Sequence, residues 1–540
     1  AVPERRNPGM AALSALAPAT SPQARKLRVG LFADTRLQPQ WVVESFARIA
    51  RSECAEIVAI CCGDAPPPEL PWTWKLYDRL DRAAFRAGRD PLALADLTRL
   101  PHHKHLHSGS EADFLALDLD VAFALGRFDD KALEGIAHYG VWRYCFGEQR
   151  HEEEALAGVQ EVVRGLPVSG SGVKVRIGGS VRLAYQSWSR TYPFSVGRNR
   201  AQLLRKTAEF AQRALAELHR SGRDWLEQCK LVVPAPAVAA SRERKLAPIL
   251  GRIAERGLQK ALGLEQWFLA YRIRESRFGD ARAIAPDLAG FTRLMPPRDR
   301  YWADPFVLEK GGRYFVFFEE LMFRTGRAHI SMLEIDAAGR ASAPIKVLQR
   351  DYHLSYPFVL EHDGSLYMIP ETAQNGTIEA YRCVDFPHSW RLERILVSGV
   401  HCVDATFHQG SGRWWMFGNV AAAGATMFDD ELHVFHADRL LGEWQPHARN
   451  PVKSDTRSAR PAGKLYWHNG ALYRPAQICA PLYGSGLSIN RVMRLTTQDY
   501  AERQVERILP AEKAGLLGVH TLNRAGDLTI VDAFTRRRRF

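Results

Sequence analysis

Five residues open five similar stretches of this chain: Asp304, Tyr356, Asp404, Arg460 and His520. Two carboxylates brought together can share general acid and base work on a glycosidic bond, and their separation then decides the stereochemistry. Glu371, near the end of a returning strand, joins Asp304 and Asp404 as a catalytic candidate. Arg460 and its neighbour Arg457 can grip a phosphate or carboxylate in bidentate fashion. Tyr356, His520 and His353, with Glu320 and Gln477 at the ends of other returning strands, are candidates for holding a substrate. The same residue types also tie neighbouring β-sheets together, so position in the fold must decide between the two uses.

The elements that would position them are legible as a repeat. The stretches read DPFVLEKGGRYFVFFEE from Asp304, YPFVLEHDGSLYMIPET from Tyr356 and DATFHQGSGRWWMFGN from Asp404. The fourth is ARPAGKLYWHNGALYRPAQ from Ala459 and the fifth GVHTLNRAGDLTIVDAF from Gly518. In each, an apolar strand meets a Gly-containing hairpin turn and an aromatic strand returns. The turns recur about every 50 to 60 residues, the length of a four-stranded blade. Five such units predict a five-bladed β-propeller over residues 265–535, with each opening residue at the mouth of one central funnel. Closure of the ring requires a partner for the last blade. The strand Gln266 to Ile273, before the first repeat, is placed to supply it.

The N-terminal half follows a different plan. Strands are predicted at Leu27–Asp34, Ala55–Gly63, Leu117–Gly126 and Gly140–Phe146, alternating with helices at Gln40–Arg51 and Asp129–His138. This pattern predicts an open, largely parallel α/β sheet over residues 27–230. Two strands, Val173–Ile177 and Val181–Trp188, and a helix Asn199–Arg220 complete it. A helical connector over 231–264 follows, the helix itself spanning Ala239–Leu262. Residues 1–26 read as a disordered lead-in and 536–540 as a basic tail.

Of 540 residues, 46% are hydrophobic and 25% charged, an ordinary globular balance that needs more than one core at this length. The net charge of +13 favours an anionic partner such as a sugar phosphate or nucleotide sugar. No basic–aromatic interleaving suggests nucleic-acid binding. The eight cysteines show no CxxC pair and no zinc spacing, so no metal site is predicted and a reduced, cytoplasmic setting is expected.

The opening WADPFV resembles the first blade of arabinanase- and invertase-type glycoside hydrolases, which implies a base or nucleophile at Asp304. Tyr356 stands where their second-blade Asp is expected. The run YWADPF, LSYPFVLEHDG, MIPET, VDATF, RSARPAG, LYRPAQ and HTLN resembles a group of bacterial proteins. These join a formyltransferase-like (Rossmann-like) N-terminal domain to a propeller similar to the N-terminal region of plant glucosamine inositolphosphorylceramide transferase. The formyltransferase resemblance places an Asn-x-His motif on the strand GVWRYCFGE, where Arg143 and Cys145 stand instead. VKVRIGGSVRLAYQ lacks the expected acid. The resemblance therefore implies a domain without formyl transfer and with little call for a folate; no cofactor is expected.

Together these readings predict a cytoplasmic carbohydrate-active enzyme of glycan or glycoconjugate assembly, transferring or cleaving a glycosyl group in the funnel. Its partners would be a sugar, nucleotide sugar or sugar phosphate and a glycan or glycolipid acceptor. The alternatives are a non-catalytic sugar-binding or scaffolding protein, and a formyl or acyl transferase acting on an amino sugar.

Overall fold

The computed structural model describes residues 25–63, 72–85, 90–106, 111–126, 133–147, 157–232, 247–273, 285, 286, 288, 290–420, 429–510 and 515–538. The chain divides into two compact units, with the boundary between Glu255 and Arg256.

The N-terminal unit is built on an eight-stranded mixed sheet. Lys104–Leu106, Ala55–Cys62, Leu27–Ala33, Val121–Leu125 and Val141–Phe146 run parallel. Val168–Ile177, Ser180–Arg190 and Lys230–Leu231 then extend the sheet antiparallel. Val121–Leu125 and Val141–Phe146 are buried throughout, as central strands covered on both faces must be. The single helix predicted over Asn199–Arg220 is two, Val196–Thr207 and Phe210–Gln228. Ser195 caps the first by accepting from the Arg198 N–H at 3.0 Å. Of the helix predicted at Asp129–His138, residues 129–132 lie outside the described residues, and 133–138 form turns. Of the predicted lead-in, residues 1–24 also lie outside; Arg25 pairs with Asp120 at 3.1 Å.

The C-terminal unit is a five-bladed β-propeller. Blade 1 holds Arg300–Lys310, Arg313–Met322, Arg327–Ile335 and Ile345–Leu348. Blade 2 holds Ser355–His362, Ser365–Thr372, Thr377–Asp385 and Ser389–Ser398. Cys402–Gly410, Arg413–Val420, Glu431–Ala437 and Gln445–Pro446 form blade 3; Tyr466–His468, Ala471–Ile478, Gly486–Leu495 and Tyr500–Ile508 form blade 4.

Blade 5 is assembled from both ends of the unit. Leu522–Ala525 and Leu528–Arg538 pair with each other, and Gly263–Ile273 pairs antiparallel with the second over eleven residues, from Gly263↔Arg538 to Ile273↔Leu528. Thr292–Leu294 completes the sheet. The expected basic tail is therefore corrected: Arg536–Arg538 belong to this strand. Arg536 reaches Glu265 at 3.1 Å, and Arg537 donates to Gln266 Oε1 at 2.9 Å. Charge density alone suggested a solvated end, but a pairing partner was waiting.

Among the described residues no helix is long and apolar enough to cross a membrane.

Candidate functional site

The inner strands of blades 1, 2 and 3 share a backbone irregularity. Asp304, Tyr356 and Asp404 adopt φ of 51°, 45° and 54°. Each sits within a register shift, between Ala303 and Phe306, Ser355 and Phe358, and Val403 and Thr406. A left-handed backbone at a non-glycine residue costs about 1–2 kcal/mol, and its recurrence at one level in three blades marks a designed bulge. The bulge re-aims the side chain that precedes each buried strand. Strain of this kind concentrates at functional sites.

Asp304 and Asp404 are thereby brought into one buried cluster. Asp304 Oδ1 accepts from Thr521 Oγ1 at 2.8 Å and lies 3.4 Å from His520 Nε2. Burial pushes its carboxyl up to about 7; His520 opposes the rise, while Asp404 and Glu319 add to it. Asp404 is held from blade 4, where Arg460 Nε and Gln477 Nε2 donate to its Oδ2 at 2.6 and 2.8 Å. Glu371 accepts from the Asp404 backbone N–H at 3.3 Å. Burial, and then the charge of Asp404, push the Glu371 carboxyl well above the usual range. His353 pairs with Glu319 at 3.1 Å. Burial acts to lower His353, and Glu319 more than offsets it, so the imidazole is raised.

Four expectations are corrected. Tyr356 does not open onto the funnel: it is fully buried, its hydroxyl 2.7 Å from Thr406 Oγ1 and accepting from the Gly463 N–H at 2.6 Å. Its hydroxyl bolts blade 2 to blade 3 and to the stretch leading into blade 4. Glu320 is absorbed within blade 1 by Arg300 Nη1 at 2.9 Å, Trp302 Nε1 at 3.2 Å, His329 Nε2 at 3.2 Å and Ser331 Oγ at 2.6 Å. Arg457 is engaged by Asp455 through two bonds of 2.8 Å. Arg460 is committed to Asp404 and lies 4.9 Å above the Tyr483 ring. The arginine pair thus forms no open anion clamp.

Two carboxylates of the cluster were not among the site candidates selected from the sequence. Glu319, not Glu320, faces the cluster; it accepts from Tyr301 Oη at 2.9 Å and its charge acts on Asp304. Its signal lay in the repeat: Glu319 pairs with Ala303 as Glu371 pairs with Ser355. Asp532 had no such signal, because blade 5 is short at its inner strand. It is fully buried and accepts the backbone N–H groups of Asp304, His520 and Thr521 at 2.9, 3.0 and 2.9 Å. Its Oδ2 lies 2.6 Å from His520 Nδ1, off the line of the ring N–H. Burial acts to lower His520, and Asp532 and Asp304 more than offset it, raising the imidazole to about 9.

Asp304, His520 and Asp532 each offer a ligand atom within 4.8 Å of the others, a spacing open to a metal ion. Both oxygens of Asp532, however, are already engaged by three backbone amides and the imidazole. The trio fits a buried charge relay better than a metal centre.

The family description "Glucosamine inositolphosphorylceramide transferase 1, N-terminal" matches residues 294–521, which span blades 1 to 4 and reach into blade 5. The Arabidopsis thaliana protein named glucosamine inositolphosphorylceramide transferase 1 is 31% identical over 230 residues, covering 42% of this chain and 30% of that protein. The protein of the same name from Oryza sativa subsp. japonica is 31% identical over 216 residues, covering 39% and 29%. The chain thus spans less than a third of the length of these relatives. Among solved structures, the catalytic domain of a Coprinopsis cinerea GH62 alpha-L-arabinofuranosidase aligns at 13% identity and TM-score 0.34, over 43% of this chain and 90% of that one. A thermostable family-43 glycoside hydrolase aligns at 11% identity and TM-score 0.34, over 44% and 89%. The propeller is similar in sequence to the N-terminal part of the plant transferases.

Proposed function

We propose that the propeller funnel binds a sugar and carries out glycosyl chemistry, with Asp304 and Glu371 as the working carboxyl groups. One observation carries the reading. Both buried carboxyls are raised, Glu371 well above the usual range and Asp304 to about 7, so the site holds a proton donor beside a carboxyl that titrates near neutral pH. Protonated Glu371 donates its proton to the departing glycosidic oxygen. Ionised Asp304 accepts the proton of the attacking hydroxyl, from water in cleavage or from an acceptor in transfer. Asp404 and Arg460 hold Glu371 in place, and His520 stabilises the charge on Asp304.

The charge balance points to the kind of sugar. With Glu371 protonated, Asp304, Glu319, Asp404 and Asp532 face three basic groups, Arg460, His353 and His520. Such a cluster suits a neutral or amino sugar and disfavours a diphosphate, so a glycoside is the preferred donor over a nucleotide sugar. The name of the plant relatives, with its glucosamine and inositolphosphorylceramide, supports an amino sugar and a glycolipid acceptor. All eight cysteines are free thiols, which supports a reducing, cytoplasmic setting.

The test is turnover of labelled amino and neutral glycosides, against nucleotide sugars, with and without a glycolipid acceptor. Asp304→Asn and Glu371→Gln should each lower turnover by about 10²-fold or more. Turnover unchanged in both variants would sink the assignment. Binding without turnover in the wild type would establish the sugar-binding scaffold instead.

For the N-terminal unit we propose a formyltransferase-like fold that no longer transfers formyl groups. Arg143 and Cys145, at the Asn-x-His positions, are both buried, and Arg143 donates to the Gly126 carbonyl at 2.8 Å. Neither is available as a base. A folate that raised the melting temperature of this protein would overturn that reading.

A further inference from the structure

Tyr483 reaches the carboxylate cluster from a turn of blade 4, between the strands Ala471–Ile478 and Gly486–Leu495. The turn is firmly held. The Ser485 N–H donates to the Ile478 carbonyl at 2.9 Å, and the Ser485 hydroxyl accepts from the Leu482 N–H at 3.0 Å. The Gly484 carbonyl accepts from the Val519 N–H at 2.9 Å, which ties the turn to the chain entering blade 5. Gly484 has φ of 70°, and a Cβ there would lie 2.5 Å from the Trp267 ring, so glycine lets the turn come this close.

The phenol ring is fixed as well. Arg460 lies over its face at 4.9 Å, His520 meets it at 5.1 Å and 68°, and Trp267 at 6.4 Å and 74°. Arg460 is the partner of Asp404, and His520 is that of Asp304. Tyr483 thus bridges the two ion pairs of the cluster. Asp304 and Asp404 are buried, whereas Tyr483 is only half-buried, so part of it meets solvent beside them. Its hydroxyl makes no hydrogen bond to the described residues.

The surroundings decide what that hydroxyl can do. Burial raises the phenol well above its ordinary 10; Arg460 opposes the rise, and Asp404 and Asp304 add to it. It therefore stays neutral, which rules it out as nucleophile or base and leaves it able both to donate and to accept a hydrogen bond. Sugars that differ in one hydroxyl carry the same charge, so the carboxylates alone cannot separate them. A neutral, directional group on a rigid arm can.

We propose that Tyr483 is a specificity-determining residue of the funnel, its phenol hydrogen-bonded to one hydroxyl of the bound sugar. The proposal rests on the glycosyl reading of the funnel and adds the contact that selects among sugars of one charge.

The experiment is a double-mutant cycle between enzyme and substrate hydroxyls. Both anomers of p-nitrophenyl glucosaminide, glucoside and galactoside are screened with the wild type. The glycoside turned over is then compared with its monodeoxy forms in wild type, Tyr483→Phe and Tyr356→Phe. Tyr483→Phe keeps the ring against Arg460 and His520, so it should melt with the wild type. Its kcat/KM should fall about tenfold, the worth of one lost polar contact. For one monodeoxy substrate that penalty should vanish, because phenol and substrate hydroxyl are then both absent. Tyr356→Phe should show no such coupling. An unchanged kcat/KM in Tyr483→Phe, or the same penalty on every monodeoxy substrate, would overturn the contact. If the wild type turns over no glycoside, the glycosyl reading fails, and the cycle is run by calorimetry with the methyl glycosides and their monodeoxy forms. Coupling there would keep Tyr483 as a sugar contact; additivity, or no binding, would overturn it.

Discussion

His520 Nε2 stands 3.4 Å from Asp304 Oδ1 across the seam between the fifth and first blades. Behind it, Asp532 lies 2.6 Å from the other ring nitrogen and accepts the backbone amides of both partners. The blade that closes the ring therefore acts on the charge of the first carboxylate in the funnel. Trp267, on the closing strand, packs against the imidazole at 4.2 Å and completes the arrangement.

Replacing His520 by Asn should cost on the order of 3 to 5 kcal/mol, as expected when a buried ion pair loses one partner. The pH dependence carries the sign. The folded imidazole titrates at about 9, above its ordinary 6.5, so its contribution is complete below about 6.5 and fades as pH rises through 9. Chemical denaturation between pH 6 and 10 should show that slope in the wild type and its loss in His520→Asn. An unchanged slope would mean that the imidazole is neutral in the fold.

The two arginines once grouped together should separate on mutation. Arg460→Ala strands the Asp404 carboxylate in the interior and should destabilise by roughly 3 to 5 kcal/mol. Arg457→Ala removes a half-exposed pair with Asp455, worth about 1 kcal/mol or less, and should leave sugar binding intact. Loss of binding in Arg457→Ala would restore the anion clamp.

Glu319 and Glu320 adjoin in sequence and should differ in effect. Glu319→Gln should impair turnover of a glycoside with little change in melting. Glu320→Gln should do the reverse, since its four donors lie inside blade 1. Those donors outweigh the cost of burial and hold Glu320 far below the usual carboxylate range. Its stabilising effect is therefore present above about pH 4.5 and is lost under acid conditions. Acid melting curves of the two variants distinguish them.

Tyr356→Phe should cost about 1 to 3 kcal/mol, because the buried Gly463 N–H then lacks its acceptor. The Michaelis constant for a glycoside should not move. A large rise would return the phenol to the substrate site.

These contrasts show where sequence sufficed. The repeat was visible because Gly turns and aromatic return strands recur in each blade, and the openers Asp304 and Asp404 were found by that alignment alone. The same alignment, carried two residues past Phe317 and Ile369, would have selected Glu319 with Glu371. Tyr356 misled because its position matched the two acids, while its length let it reach across to blades 3 and 4. Asp532 and the partners of Arg460 depend on contacts between blades far apart in sequence, which no local pattern encodes. In the N-terminal unit, the buried strands were legible from apolar runs, whereas the break at Ala208–Glu209 carries neither proline nor glycine.

The closing strand Gly263–Ile273 also imposes a clock on synthesis. Its partner, Leu528–Arg538, leaves the ribosome more than 250 residues later, an interval of roughly 13 to 50 s at ordinary elongation rates. For that interval its inner edge, including Trp267, has no native partner to pair with, and the imidazole–carboxylate relay cannot exist. Translation speed over blades 1 to 4 thus governs how long a nascent chain must be shielded from edge-to-edge association.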